Sequence, residues 1–300
     1  MPAPLRGTQS LVGQMGWVFA RPSLTLLEVG WRWLFGIPLL VVCWVQARHI
    51  LAALPLESTG LSSINPQNPW VAAVQLSHAW ALYEPSVVAV LHRLGPLAAV
   101  GWIVTSGLGR SAVLKRMAPQ ISFRPVQMVL LQAVFLAGLI ATFWGWFRCI
   151  GWVAATHITT GVEPDLIGFS FWVIFLSLGF YTLWALVSWA LSIAPLLMLF
   201  EGRSVLASLS ESLRLGKAFT AKLSEINLVM GIVKLALIVL ALVLSAAPLP
   251  FSDQLGTDAL HGVDATALAF YLVANDYFQV VRLKGFVEFW KMFRGGEPAN

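Results

Sequence analysis

Six long apolar stretches alternate with connecting segments whose charge changes sign each time, and this alternation confines the chain to a membrane-spanning fold. A hydrocarbon core of about 30 Å takes roughly 20 apolar residues of helix. Candidate spans run over residues 30–47, 87–107, 126–150, 167–191, 226–246 and 265–285. The composition agrees: 58% of the side chains are hydrophobic and 11% charged, far too apolar for a water-soluble domain of 300 residues. The expected fold class is all-α, an integral membrane bundle of about six transmembrane helices with amphipathic interfacial helices. Residues 1–300 read as one transmembrane domain. It comprises a cytoplasmic interfacial segment 1–28, a six-span bundle over 29–293 and a short tail 294–300.

A net charge of +5 would suggest nucleic acid in a soluble protein, but here the basic residues are sorted by loop, and no nucleic-acid partner is expected. Arg6 and Arg21 precede the first span, and Arg110, Lys115, Arg116 and Arg124 follow the second. Arg203, Arg214, Lys217 and Lys222 follow the fourth; Arg282, Lys284, Lys291 and Arg294 close the chain. The intervening loops carry Glu57 and Glu84, then Glu163 and Asp165, then Asp253, Asp258 and Asp264. Cationic loops stay on the side of synthesis, which predicts both termini in the cytoplasm. Cys43 and Cys149, the only cysteines, lie within apolar spans, so they read as small packed residues rather than a disulfide framework. The N-terminus lacks the ordered parts of a cleavable signal, and the first span is expected to be retained.

Local patterns refine this map. Leu11, Val12, Met15, Val18 and Phe19 form a short inner-leaflet helix that breaks at Arg21-Pro22. Trp31 and Trp33 suit the headgroup zone, and Arg32 can reach from it to phosphate. In the longest outer loop, Asn68-Pro69 opens a short interfacial or re-entrant segment through Trp70, Val74, His78 and Leu82, predicted to end at Glu84-Pro85. Ala133, Ala137, Ala141 and Gly145 recur every four residues on the third span, a stripe for close helix approach within the bundle or between two copies of the chain. The stretch 166–200 exceeds a perpendicular crossing, and Pro195 marks where it is expected to tilt or bend.

From Arg203 to Glu225 the apolar residues Val205, Leu206, Leu209, Leu213, Phe219 and Leu223 occupy an arc of about 140° on a helical wheel. Arg203, Arg214, Lys217 and Lys222 lie opposite, placed to contact lipid headgroups, with a break admissible at Leu215-Gly216. Gly109-Arg110-Ser111-Ala112-Val113-Leu114 and Gly202-Arg203-Ser204-Val205-Leu206 form a faint internal echo at two predicted cytoplasmic exits.

The run Pro195-Leu196-Leu197-Met198-Leu199-Phe200-Glu201-Gly202-Arg203-Ser204-Val205, continuing to Ser210-Glu211-Ser212-Leu213-Arg214-Leu215, resembles a pattern in uncharacterised bacterial polytopic proteins. These include the membrane domain attached to some glycerophosphodiester phosphodiesterases. The resemblance covers about thirty residues and implies architecture and a bacterial cytoplasmic membrane. In that family hydrolysis belongs to a separate soluble barrel for which this chain has no segment, so no phosphodiesterase residue, metal or cofactor is carried over.

Asn275-Asp276 stands near the middle of the last stretch, where a carboxylate must be paired, hydrated or protonated. Lys234 on the fifth span and Arg93 on the second are its candidate partners, forming either structural ion pairs or an ion-coupled pathway. His49, His78, His92, His157 and His261 all map to the predicted outer side without ligand-like spacing. No nucleophile elbow, zinc-protease pair or phosphate loop occurs, so no catalytic residue is assigned. The pattern therefore supports an accessory or membrane-organising protein contacting membrane lipids. A secondary transporter or ion-coupled permease built on Asp276 is the alternative.

Overall fold

The computed structural model describes residues 7–59, 69–159, 165–214, 217–246 and 257–295. Every regular element among them is helical: α1 (Gly7–Phe19), α2 (Pro22–Ala53), α3 (Pro69–Met117), α4 (Pro125–Ala154), α5 (Leu166–Phe200), α6 (Val205–Arg214), α7 (Lys217–Ala246) and α8 (Thr257–Gly295). A 3₁₀ turn covers Leu56–Thr59 and a π-helical turn extends α4 over Ala155–Thr159. Proline opens α2, α3 and α4, where its missing N–H costs nothing and its fixed φ suits the first turn.

Five helical stretches among the described residues are long and apolar enough to cross a membrane: Pro22–Ala53, Gln75–Met117, Pro125–Ile158, Leu166–Phe200 and Glu225–Val243. The chain is thus a multi-pass helical membrane protein by length and composition. The sixth expected stretch, 265–285, is helical within α8 but does not join the five. Asn275, Asp276, Gln279, Arg282 and Lys284 interrupt its apolar run. The loop segment predicted to stop at Glu84-Pro85 is corrected, because α3 continues through both Pro85 and Pro96. Just before Pro85, the Tyr83 hydroxyl donates to the Leu54 carbonyl at 3.0 Å, fastening this turn to the end of α2. α5 likewise runs unbroken through Pro195.

The chain divides into two compact units, residues 31–106 and residues 1–30 with 107–300. The smaller unit is a helical hairpin. Trp102 lies 5.9 Å from Trp31 and 5.6 Å from Phe35 between ring centroids, and a Cβ on Gly101 would come within 2.9 Å of the Phe35 ring. Outward faces of this hairpin are apolar, as lipid-facing surfaces are.

In the larger unit α4 and α5 pack antiparallel. Trp146 Nε1 donates to Ser177 Oγ at 3.0 Å, Gly145 meets Phe180, and Phe135 sits edge-on to Trp184. The face of α4 that approaches α5 therefore runs through Leu131, Phe135, Gly138, Thr142 and Gly145. Of the expected small-residue stripe only Gly145 is on it; Ala137 and Ala141 point outward. α7 packs on α8, α6 on α5, and α1 on α8.

The cation-bearing segments gather at one end of this unit. Arg124 Nη1 donates to the Gly202 carbonyl at 2.9 Å, and Arg203, Glu201, Phe200, Trp290 and Lys291 line one cleft. Gly202 adopts φ 70°, the left-handed conformation that ends α5 without steric cost. The surface helix proposed for 203–225 is shorter than expected. α6 stops at Arg214, and residues from Lys217 onward belong to α7 and run on into the fifth span. Ser208 and Ser212 form its buried edge, both 0% exposed, whereas Leu206 and Leu213 point away from the protein. Small hydroxyl residues allow close approach to α5, and in lipid the leucines need no protein cover.

Candidate functional site

The polar interruption of α8 is the natural candidate site. Asp276 is 3% exposed, and Gln279 and Lys284 on the following turns are also buried among Val280, Val281, Leu283, Phe286 and Val287. A helix that keeps such residues inside requires a neighbour that satisfies them, and α1 is one such neighbour. The Tyr277 hydroxyl donates to the Met15 carbonyl at 2.9 Å. Lys284 Nζ lies 4.0 Å from the centroid of the Trp17 ring, and Arg21 Cζ lies 4.1 Å from the same ring, so one indole takes two cations. A Cβ on Gly285 would reach within 2.8 Å of Gln14 Oε1, which marks how closely the Gln14 side chain lies against α8.

Lys284 also donates to Glu288 Oε1 at 2.5 Å, and Lys291 Nζ stands 3.6 Å from the same oxygen. Burial pushes the Glu288 carboxyl upward, but the Lys284 hydrogen bond and the charges of Lys284 and Lys291 outweigh it, leaving a net lowering. This spacing of Lys284, Glu288 and Lys291 is visible in sequence as i,i+4 and i,i+3 neighbours.

Of the residues singled out beforehand, Asn275 and Asp276 lie on α8 beside α7, which carries half-buried Lys234. Asp276 and Lys234 are each engaged by a neighbouring group. Arg93 is exposed on α3 in the smaller unit. Among the headgroup candidates, Arg214 is exposed, while Arg203 is held by Glu201 Oε2 at 2.7 Å and Glu211 Oε2 at 3.5 Å. The side chains of Lys217 and Lys222 lie outside the described residues.

Sequence reading missed that Glu28, Gln14, Ser111 and the α6 serines are buried polar groups. The serines did leave a signal, since Ser204, Ser208 and Ser212 recur every four residues along one edge of this segment.

At the other end of α4, the π turn carries His157 toward the start of α5. His157 Nδ1 lies 3.0 Å from Asp165 Oδ2, and Asp165 accepts the Gly168 N–H at 2.9 Å as the N-cap of α5. The Gly168 N–H first, and the His157 hydrogen bond second, hold the Asp165 carboxyl below its ordinary value. No group of three or more His, Cys, Asp or Glu able to hold a metal occurs among the described residues. Arg148 stacks over Trp144 at 5.2 Å on the exposed face of α4, a pairing that lets a charged residue sit beside lipid.

The arrangement at α8 is thus a packed polar seam between helices, in which Lys284 and Lys291 share the Glu288 carboxylate. No protein-family model, curated protein or solved structure matches the chain.

Proposed function

We propose that this protein is a multi-pass component of the bacterial cytoplasmic membrane in which α8, less apolar than the five long spans, makes a sixth crossing and leaves both termini in the cytoplasm, serving an accessory or membrane-organising role. The carrying observation is the burial of Asp276 at 3% exposure among the packed residues of α8. A carboxylate that serves ion passage needs water on at least one side, and this one is enclosed. The contact between the Arg124 segment and the Gly202 turn supports a common side for two cationic connections, in line with cytoplasmic retention of positive charge. The likeness of residues 195–215 to bacterial polytopic proteins supports the same setting.

Contacts with lipid and with a second copy fit this role. Leu206, Leu213 and Arg214 present an apolar edge beside a cation, the composition of a helix seated in a headgroup layer. Ala137 and Ala141, with half-buried Ala133 on the same stripe, support self-association through the outward face of α4, Gly145 being occupied by Phe180.

The second reading, an ion-coupled transporter using Asp276, Asn275 and Lys234, is favoured by the polar side chains buried near α1 and α8, namely Gln14, Gln279 and Lys284. Proton- and ion-flux assays on the reconstituted full chain separate the two. The accessory reading expects equal, background-level flux from wild type and Asp276→Asn. Flux above background in wild type that disappears in the variant would replace it with the transporter.

A further inference from the structure

The α4–α5 pair leaves a cleft of about 210 Å³ lined by Thr142, Phe143, Trp146, Phe180, Trp184 and the pair Ser177 and Tyr181. It lies about halfway along both helices, a level where a crossing helix meets hydrocarbon rather than headgroups. Gly138 and Gly145 bring the helices together on one side of it, and the large rings hold them apart on the other. Its volume is below the ~300–1,000 Å³ of a pocket that engulfs a whole drug-sized ligand, so it admits a ring and leaves an attached chain in lipid.

Hydroxyl groups in spanning helices normally return their proton to a carbonyl of their own helix, because hydrocarbon offers no acceptor. Thr142 does so to Gly138 at 2.8 Å, Thr182 to Leu178 at 2.8 Å, Ser188 to Ala185 at 3.1 Å and Ser192 to Ser188 at 2.7 Å. Ser177 and Tyr181 do not, nor do Thr105, Ser170 and Tyr271, but of these only Ser177 and Tyr181 line this cleft. Ser177 Oγ accepts the Trp146 N–H, and among the described residues neither hydroxyl has an acceptor for its own proton. The two are one helical turn apart, both line the cleft, and Tyr181 is 73% exposed. Leaving a hydroxyl unsatisfied in an apolar medium is costly, because nothing replaces the hydrogen bond it made to water. The cleft therefore has two complementary demands: flat apolar surface for the indole and phenyl rings, and an acceptor oxygen at mid-depth for two donors.

We propose that this cleft binds the ring of a lipid-soluble carbonyl compound of the quinone class, with a ring oxygen accepting from Ser177 and Tyr181 and the ring lying against Trp146, Phe180 and Trp184. Ordinary phospholipid tails meet only the first demand, since their ester oxygens lie at the headgroup boundary. The site is binding machinery only and is independent of the fate of Asp276.

The test uses the full chain in phosphatidylethanolamine–phosphatidylglycerol nanodiscs with a decyl-tailed benzoquinone as probe, read by tryptophan quenching and by photolabelling with its azido derivative. Saturable quenching is expected, with labels on α4 and α5. Tyr181→Phe and Ser177→Ala should each weaken binding roughly three- to tenfold, the fold-change of one net hydrogen bond. Decane, lacking ring and oxygen, should not compete for the wild-type site, a measurement that needs no variant to fold. Quenching that rises linearly with probe, affinity unchanged within about twofold in both variants, or equal competition by decane would overturn the assignment. So would efficient disulfide dimers of Tyr181→Cys without saturable labelling, which would give the cleft to a second copy of the chain.

Discussion

The two halves of α5 are built from almost the same apolar residues and pack in opposite ways. Between Leu166 and Leu186 most large side chains, Ile167, Phe171, Ile174, Leu178 and Tyr181 among them, are exposed; from Leu191 to Leu199 nearly every residue is buried. α8 repeats the contrast, with Leu268, Phe270 and Leu272 exposed and Val280 to Val287 enclosed. Hydrophobicity is a measure of leaving water, and once in lipid a leucine gains little by exchanging an acyl chain for another helix. What differs between the halves is company: α6 joins α5, and α1 joins α8 from Tyr277 to Gly285, at the cation-bearing end. The packed end should therefore behave as a protein core and the open end as a lipid-solvated surface.

The sharpest break of that contrast compares leucines along α5. Leu197→Ala at 0% exposure should cost about 2–5 kcal/mol, whereas Leu178→Ala should stay within about 0.5 kcal/mol. Reversible unfolding in mixed micelles measures both, and similar losses at the two positions would remove the distinction.

Glycines sharpen it next. A Cβ on Gly107 would lie 2.6 Å from Val129 Cγ2 and 2.7 Å from its Cα, backbone that cannot step aside, whereas nothing stands within 4 Å of one on Gly179. Gly107→Ala is expected to lose about 1–3 kcal/mol. Gly179→Ala should instead gain up to about 1 kcal/mol through helix propensity. Opposite signs in the same unfolding assay are the expected outcome.

A smaller effect concerns the seam itself. Lys284→Ala removes the cation from Trp17 and the partner of Glu288, and should loosen α1 by about 1 kcal/mol. Faster amide exchange over Gly7–Phe19, with α4 and α5 unchanged, would report it.

The least effect belongs to the cap at the far end of α4 and α5. Because the folded-state Asp165 carboxyl lies below its ordinary 3.8, its contribution is complete above that value and is lost as pH falls through the lower folded one. Exchange at the first turn of α5 should accelerate only in that acid range and be insensitive to it in Asp165→Asn.

Much of the frame is legible residue by residue. Five of the six apolar stretches fall on candidate spans, and the N-terminal helix ends before Pro22 as its break at Arg21-Pro22 implies. α6 and α7 part around Leu215-Gly216, residues that themselves lie outside the described ones. Pro85 misled because a proline reads as a stop, yet a long helix held to its neighbour by Tyr83 tolerates the lost bond. The small-residue stripe left two faces open for a related reason: several faces of α4 are lipid-compatible, and a pattern of alanines does not say which one meets α5. The hydroxyls of Ser177 and Tyr181 look ordinary in sequence, and only the cleft they share sets them apart.

Composition and periodicity by themselves determined that this chain enters lipid, where its helices lie and which connections are cationic, because those depend on transfer from water, a property of each residue. Tertiary structure alone decided which half of each helix is packed, that Asp276 and Glu28 are enclosed, and where an aromatic cleft stays open. Those outcomes depend on shape fit and hydrogen-bond pairing between distant segments, and in a solvent as apolar as the side chains no one-dimensional pattern encodes them.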